Sequence, residues 1–564
     1  MERFSRLILF ALAALLFWRC GPSLMGGDHK AQELPAVHEN VAPGFVLDPN
    51  EKGGAVALEG ALCAIAGDGF RAEFSARGAA LTSFKLLNAK FKDAKGAPLD
   101  LVSTPKHEHT RPLRESFRGP GADDQFAFDR FEWKATDAKP GQCAFSYDDA
   151  NVHVVKTFDK APRAYELTVT TTVRNLAAAA KKHAMSVATY AYYTNKDTKS
   201  HLGRVAPMAT ELVCAKTGET TRKQATEFAH GWYDAGPVDG FASLSSTFFA
   251  AALVPEAGAH PSCQLLAEEY YTAGQKSDDD DAGHYYHAKL SYPVSELQPQ
   301  AEATYKLSAY YGPKDRELLA TAGGTEHGLK AVINYSSFFG MFTLEPLAKA
   351  LFKGLAYFHG MTGNWGIAII LLTVTLKVVL LPAAIPGIKN SIKLRKIKPE
   401  LDALKTKFPD DAQARQLATM ELHRKNGVSM IVGCLPQLAA MPIWFAMYTM
   451  IQSAVEMYHT PFWWFADLSL PDPWFIMPIV LGAFMVAQQR LVPQPTEMDP
   501  AQQKMMMWMM PGVFTVMMLF LPAALGVYML TNSLLTMAQL ALTEGYAKRA
   551  VAAHNASSIR ITGA

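Results

Sequence analysis

The 564-residue sequence has no C-x-x-C pair among its six cysteines, no G-x-x-x-x-G-K-[ST] phosphate loop, no G-x-S-x-G elbow and no His pair at metal-ligand spacing. Each of those motifs supplies a nucleophile, a metal or a grip on phosphate, so the sequence gives no grounds for ATP use or covalent catalysis. No cofactor, no metal and no small-molecule substrate are expected, and the chain reads as a non-enzyme. Net charge is only +2, and 49% hydrophobic with 19% charged residues is close to the soluble average. Any membrane-spanning character must therefore be concentrated in part of the chain.

It is concentrated after about residue 336. The run 366–381, GIAIILLTVTLKVVLL, is framed by Trp365 and Pro382 and holds one charge, Lys377. An ionised Lys near the bilayer centre costs about 2.5–3.5 kcal/mol on insertion scales, which favours turning it toward a protein interior or a wet cavity. Lys377 is also about one turn from the end of the run, where a long stem can carry the ammonium to the interface, so the span alone leaves both readings open. Four more apolar stretches follow at 429–451, 474–488, 505–521 and 523–542. Several approach the roughly 20 residues a helix needs to cross hydrocarbon. A shorter run at 7–18 follows Arg3 and Arg6. It has no A-x-A site after it, and Arg19 stands before Cys20, so it reads as an uncleaved anchor. The expected total is six spans.

Loop charge sets the orientation. The segment 383–430 holds ten Lys and Arg against half as many acids, whereas 452–473 holds Glu456, Asp467 and Asp472 and no Lys or Arg. Both termini are then expected in the cytoplasm, with residues about 20–335 on the far side.

That outer segment reads as β structure. Tyr165, Leu167, Val169, Thr171 and Val173 alternate with polar neighbours, and similar short runs begin near Phe70, Phe131, Val152, Thr247 and Tyr305. Many strands without helices between them suggest a sandwich. Cys63, Cys143, Cys214 and Cys263 lie in this oxidising compartment and allow two disulfides in any of three connectivities. The four acids at 278–281 lack EF-hand spacing and read as a solvated loop. Further on, Leu344, Leu347, Leu351, Leu355 and Phe358 share one helical face, as in a helix lying in the interface. Ile397, Leu401, Leu404 and Phe408 begin a basic two-helix hairpin at 388–427 that breaks at Pro409, Asp410 and Asp411. Its charge either obeys the positive-inside rule or meets headgroups, ribosomal RNA or an incoming chain.

The residues resemble the YidC family of membrane protein insertases over nearly the whole chain. The resemblance rests on GNWG at 363–366, the cation in the next span, GCLPQLAAMPIWFAMY at 433–448, PFWWFADLSLPDP at 461–473, DPAQQKMM at 499–506 and VYMLTNSLLTMAQ at 527–539. It implies a polytopic α-helical membrane protein with six spans, a five-helix insertase core and a large periplasmic all-β sandwich domain similar to sugar mutarotases. The division expected is an N-terminal anchor 1–20, a linker 21–55, the sandwich 56–335, an interfacial helix 336–361, the core 362–545 and a cytoplasmic tail 546–564. The site implied is a groove open to cytoplasm and lipid in the bacterial inner membrane. In the family its cation is usually Arg and receives the acidic or polar tail of a client, whereas Lys lacks the two-pronged geometry for a carboxylate. Lys377, Thr373, Gln437, Met441, Trp444, Met517, Tyr528, Thr531 and Asn532 are the expected groove and substrate contacts. For Thr373, Gln437, Thr531 and Asn532 a hydrogen bond between helices competes with that role. The expected partners are nascent membrane proteins, the lipid bilayer, the Sec translocon and, through the hairpin because the tail is weakly basic, the ribosome. Two other classes are weighed: a secondary transporter, for which the spans show no internal repeat, and an anchored periplasmic carbohydrate-binding protein.

Overall fold

A computed structural model describes residues 62–491 and 500–562, apart from 94, 105–109, 119–132, 137–138, 149, 199–207, 209, 229–230, 272–274, 325–327, 336–343 and 409–410. The expected anchor 1–20 and linker 21–55 lie outside the described residues.

Residues 62–335 fold as β structure paired antiparallel throughout, in sheets of nine, six and three strands. Glu302–Pro313 runs through the middle of the nine-stranded sheet, between Phe249–Pro255 and Glu166–Asn175. Along Glu166–Asn175 the buried positions from Leu167 to Asn175 alternate with half-buried ones, which is the period expected from the sequence. In the six-stranded sheet residues 186–194 of the strand Lys181–Thr194 pair with the whole of Gly283–Ser291. The two large sheets close on each other, with Thr189 Oγ1 2.9 Å from Tyr311 OH and His183 Nε2 2.6 Å from Tyr305 OH across the core. Phe74 stacks on Phe158 at 4.1 Å and seats the three-stranded sheet on the nine-stranded one. Of the three connectivities, the chain adopts Cys63–Cys143 and Cys214–Cys263. The second bond joins a strand of the nine-stranded sheet to one of the six-stranded sheet. The acids at 278–281 lie exposed in a turn, and among the described residues no His, Cys, Asp and Glu cluster is arranged to hold a metal.

From Glu345 onward the chain is helical. We number these helices α1 Glu345–Thr362, α2 Trp365–Lys396, α3 Lys398–Lys407, α4 Ala412–Lys425, α5 Met430–Gln452, α6 Ile476–Leu491, α7 Pro500–Met518 and α8 Ala523–Thr562. Two of them, over Trp365–Leu394 and Ala523–Thr543, are long and apolar enough by length and composition to cross a membrane. α5, with 23 residues, α7, with 19, and α6, with 16, are the other apolar helices. α1 buries Ala348, Leu351 and Leu355 and exposes Tyr357 and Met361, so its two faces are as the sequence suggests. α2 does not stop at Pro382: it continues through Pro382 and Pro386 into the first arm of the hairpin. Each proline removes one backbone donor, a loss tolerated where neighbouring helices support the ladder. Asp411 caps α4, its Oδ1 accepting from Gln413 N at 3.1 Å and Ala414 N at 2.9 Å. At the hairpin base the Asn390 side chain donates to the Ser429 carbonyl and accepts from the Ser429 amide, both at 2.9 Å.

Candidate functional site

α2, α5, α7 and α8 enclose a cavity of about 390 Å³. Lys377 projects into it from α2 and is the sole charged residue among the described lining residues. Its Nζ donates to Thr536 Oγ1 on α8 at 2.8 Å. The Thr536 hydroxyl in turn donates to the Asn532 carbonyl at 2.7 Å, so its one proton is committed and its lone pairs face the ammonium. Lys377 lies 12 residues into α2 and Thr536 13 residues into α8. At 1.5 Å per residue both are roughly 18–20 Å from the helix ends nearest the β domain.

One turn before Lys377, Thr373 is 1% exposed and spends its hydroxyl on the Ile369 carbonyl at 2.7 Å. α5 supplies the exposed thioether of Met441 and the indole of Trp444, whose Nε1 points at Met529 Sδ 3.0 Å away. Trp444 also stacks on Tyr448 and leans on Phe514 of α7. Tyr528, Asn532 and Gln539 complete the α8 side. Six expected residues are thus brought together here: Lys377, Thr373, Met441, Trp444, Tyr528 and Asn532. Met517 sits on α7 outside this lining, while Phe514 lines it from the same helix. Thr531 also lies outside it and bonds the Val527 carbonyl of its own helix at 2.8 Å. The Gln437 side chain lies outside the described residues. Thr536, Gln539, Phe514 and Met529 line the cavity without having been expected. Only the helical spacing of Asn532, Thr536 and Gln539, a polar stripe at four and three, carried a signal for any of them.

The end of the bundle facing the β domain is sealed by the segment between α5 and α6. Leu468 and Leu470 offer their carbonyls to the first amides of α8, Ala524 at 2.9 Å and Ala523 at 2.8 Å. Asp472 caps α6, accepting from Met477 N at 2.7 Å and Trp474 N at 3.0 Å. Phe462 lies flat on Gly366 at the start of α2, where a Cβ would stand 2.3 Å from the ring. That contact gives a physical reason for glycine in the GNWG motif.

A β domain seated on a bundle of apolar helices, two of them long enough to cross a bilayer, with a cation lining the cleft between them, fits a membrane-embedded protein. Family models agree over both parts: the one described as 60Kd inner membrane protein matches residues 357–550, and the YidC periplasmic domain matches residues 62–353. The protein named membrane protein insertase YidC from Anaeromyxobacter sp. (strain K) is 32% identical over 490 residues, which cover 84% of this chain and 83% of its own length. Its namesake from Geobacter sp. (strain M21) is 39% identical over 248 residues, 44% of each chain. A solved structure described as an active YidC insertase with its first transmembrane domain resolved aligns over 85% of this chain and 91% of its own, at 17% identity and a TM-score of 0.35. The chain belongs to the YidC family of membrane protein insertases, and is an inner-membrane protein with a periplasmic β domain.

Proposed function

We propose that the cavity around Lys377 receives the acidic or polar tail of a nascent membrane protein, after which the adjoining apolar segment passes into lipid. The observation that carries this reading is a cation partnered by a neutral hydroxyl, with no acid among the described lining residues. In a medium of reduced dielectric an ammonium without a counter-ion attracts a carboxylate far more strongly than it does in water. Thr536 is the group such a carboxylate would displace. Met441 and Trp444 offer an adaptable apolar wall for clients of varied sequence, with Gln437, Met517 and Thr531 as flanking contacts. Burial of the client's apolar segment drives the process at about 25 cal/mol per Å², so no nucleotide and no covalent step are needed.

In this reading the chain crosses the inner membrane six times with both termini in the cytoplasm and residues about 20–335 in the periplasm. The proposed units are the anchor 1–20, linker 21–55, β domain 56–335, interfacial helix 336–361, five-span core 362–545 with hairpin 388–427, and tail 546–564. The basic hairpin is the proposed contact for the ribosome, and the Sec translocon the proposed neighbour for larger clients.

The test is complementation of cells depleted of their own insertase, using a single-span client with an acidic periplasmic tail. Wild type and Lys377→Arg are expected to insert it. Lys377→Ala and Lys377→Glu should insert it about tenfold or more slowly at equal abundance, as expected for losing a charged hydrogen bond of about 1.5–3 kcal/mol. Equal insertion by all four would reduce Lys377 to an anchoring charge.

A further inference from the structure

The β domain meets the outer end of the bundle through the Tyr458 ring, which packs on Phe91, Phe248 and Phe249, and through a polar contact centred on Arg316. Arg316 follows the strand Glu302–Pro313, and its guanidinium, 11% exposed, reaches three elements at once. Nη1 donates to Glu456 Oε2 at 2.9 Å, in the single helical turn Val455–Met457 after α5. Nη2 donates to Ser453 Oγ at 3.0 Å and to the Met450 carbonyl at 3.5 Å, at the end of α5. The cation also lies 3.9 Å from the ring centre of Phe352 on α1, while Nε donates to Tyr335 OH at 3.1 Å. Glu456 is held a second time from the β domain, since Lys90 Nζ donates to its carbonyl at 2.9 Å.

Forming a buried ion pair adds little net stability over an apolar pair of the same size, because both charges must be desolvated. Its distinctive effect here is directional: the fixed fork of Arg meets a carboxylate, a hydroxyl and a carbonyl at once, which a Lys ammonium cannot reproduce. The helix whose end it grips, α5, presents Met441, Ile443 and Trp444 to the cavity. A helix moves as a rod, so displacing its outer end displaces that wall. We infer that Arg316 is a positioning residue for insertion, through which the β domain sets the place of α5 and α1 and hence the shape of the cavity. The inference rests on the insertase reading for its role and on geometry alone for its effect on α5.

The experiment uses the full chain carrying Ala440→Cys as a reporter, Ala440 being a further α5 residue that lines the cavity. Maleimide labelling in membrane vesicles and client insertion in depleted cells are read side by side. Arg316→Met leaves Glu456 buried without its cation, so the double variant Arg316→Met with Glu456→Met is made as well; it restores an apolar pair that can pack. Both are expected to insert the client about tenfold more slowly, matching a lost charged bond, and to label at a rate that departs from wild type. Arg316→Lys should fall between them and wild type. A double variant that labels and inserts like wild type overturns the proposal. So does a failure of both variants to accumulate, which would make Arg316 a folding residue. If wild type itself fails to insert while labelling still shifts in the variants, the insertase reading falls and the brace stands.

Discussion

Lys377 and Thr536 form a unit whose parts are unequal. The threonine proton goes to Asn532, so the hydroxyl can serve the ammonium only as an acceptor. Thr536→Ser keeps that arrangement, whereas Thr536→Val keeps the shape and leaves the ammonium to find another partner. Thr536→Val is therefore expected to slow insertion of an acidic-tailed client severalfold while Thr536→Ser does not; equal rates for the two would detach Thr536 from the site. Lys314 offers a residue-level test in the β domain. It is buried, donating to Ser245 Oγ at 3.0 Å and the Ser246 carbonyl at 2.9 Å, and burial pushes its ammonium down to about 8. The folded chain therefore binds fewer protons at this site than the unfolded chain does between about pH 8 and the ordinary value of 10.5. Stability should rise with pH across that window, by roughly 3 kcal/mol at most from this group. Lys314→Met should abolish that rise in thermal unfolding scans of the whole protein in detergent.

At the scale of elements, the contact between Gly366 and Phe462 ties the sealing loop to the first helix of the cavity. Gly366→Ala is expected to lift the ring, lower stability by about 1–3 kcal/mol as overpacking does, and open residues 459–470 to protease. An unchanged digestion pattern would show that the loop is held elsewhere. The elements themselves were largely readable from sequence. Glu166–Asn175 announces itself because one face meets a core and the other water, and the hairpin because Asp411 caps its second helix. Rotation of the apolar helices was not readable in the same way. Phe514 and Met517 stand three residues apart on α7, and both suit lipid and a protein interior equally well, so hydropathy does not say which lines the cavity. Thr536 was hidden for a different reason: its partner is 159 positions away, and the polar stripe it shares with Asn532 and Gln539 does not say which member meets a cation.

Across the whole molecule, the two disulfides fasten different joints. Cys214–Cys263 pins the two large sheets together, while Cys63–Cys143 ties the first strand to the far side of the nine-stranded sheet. Replacing Cys214 and Cys263 by Ser should cost the β domain about 2–5 kcal/mol, seen as a lower unfolding temperature that reductant no longer shifts at that bond. The last helix bears on the molecule's reach. α8 runs unbroken for 40 residues, which at 1.5 Å each makes a rod of roughly 60 Å, about twice the thickness of bilayer hydrocarbon. Its first half walls the cavity, and its second half continues the same helix beyond it as a stiff mast rather than a trailing cord. The tip of that mast lies roughly 40 Å along the helix from Thr536, a spacing set by backbone geometry and independent of the mast's charge.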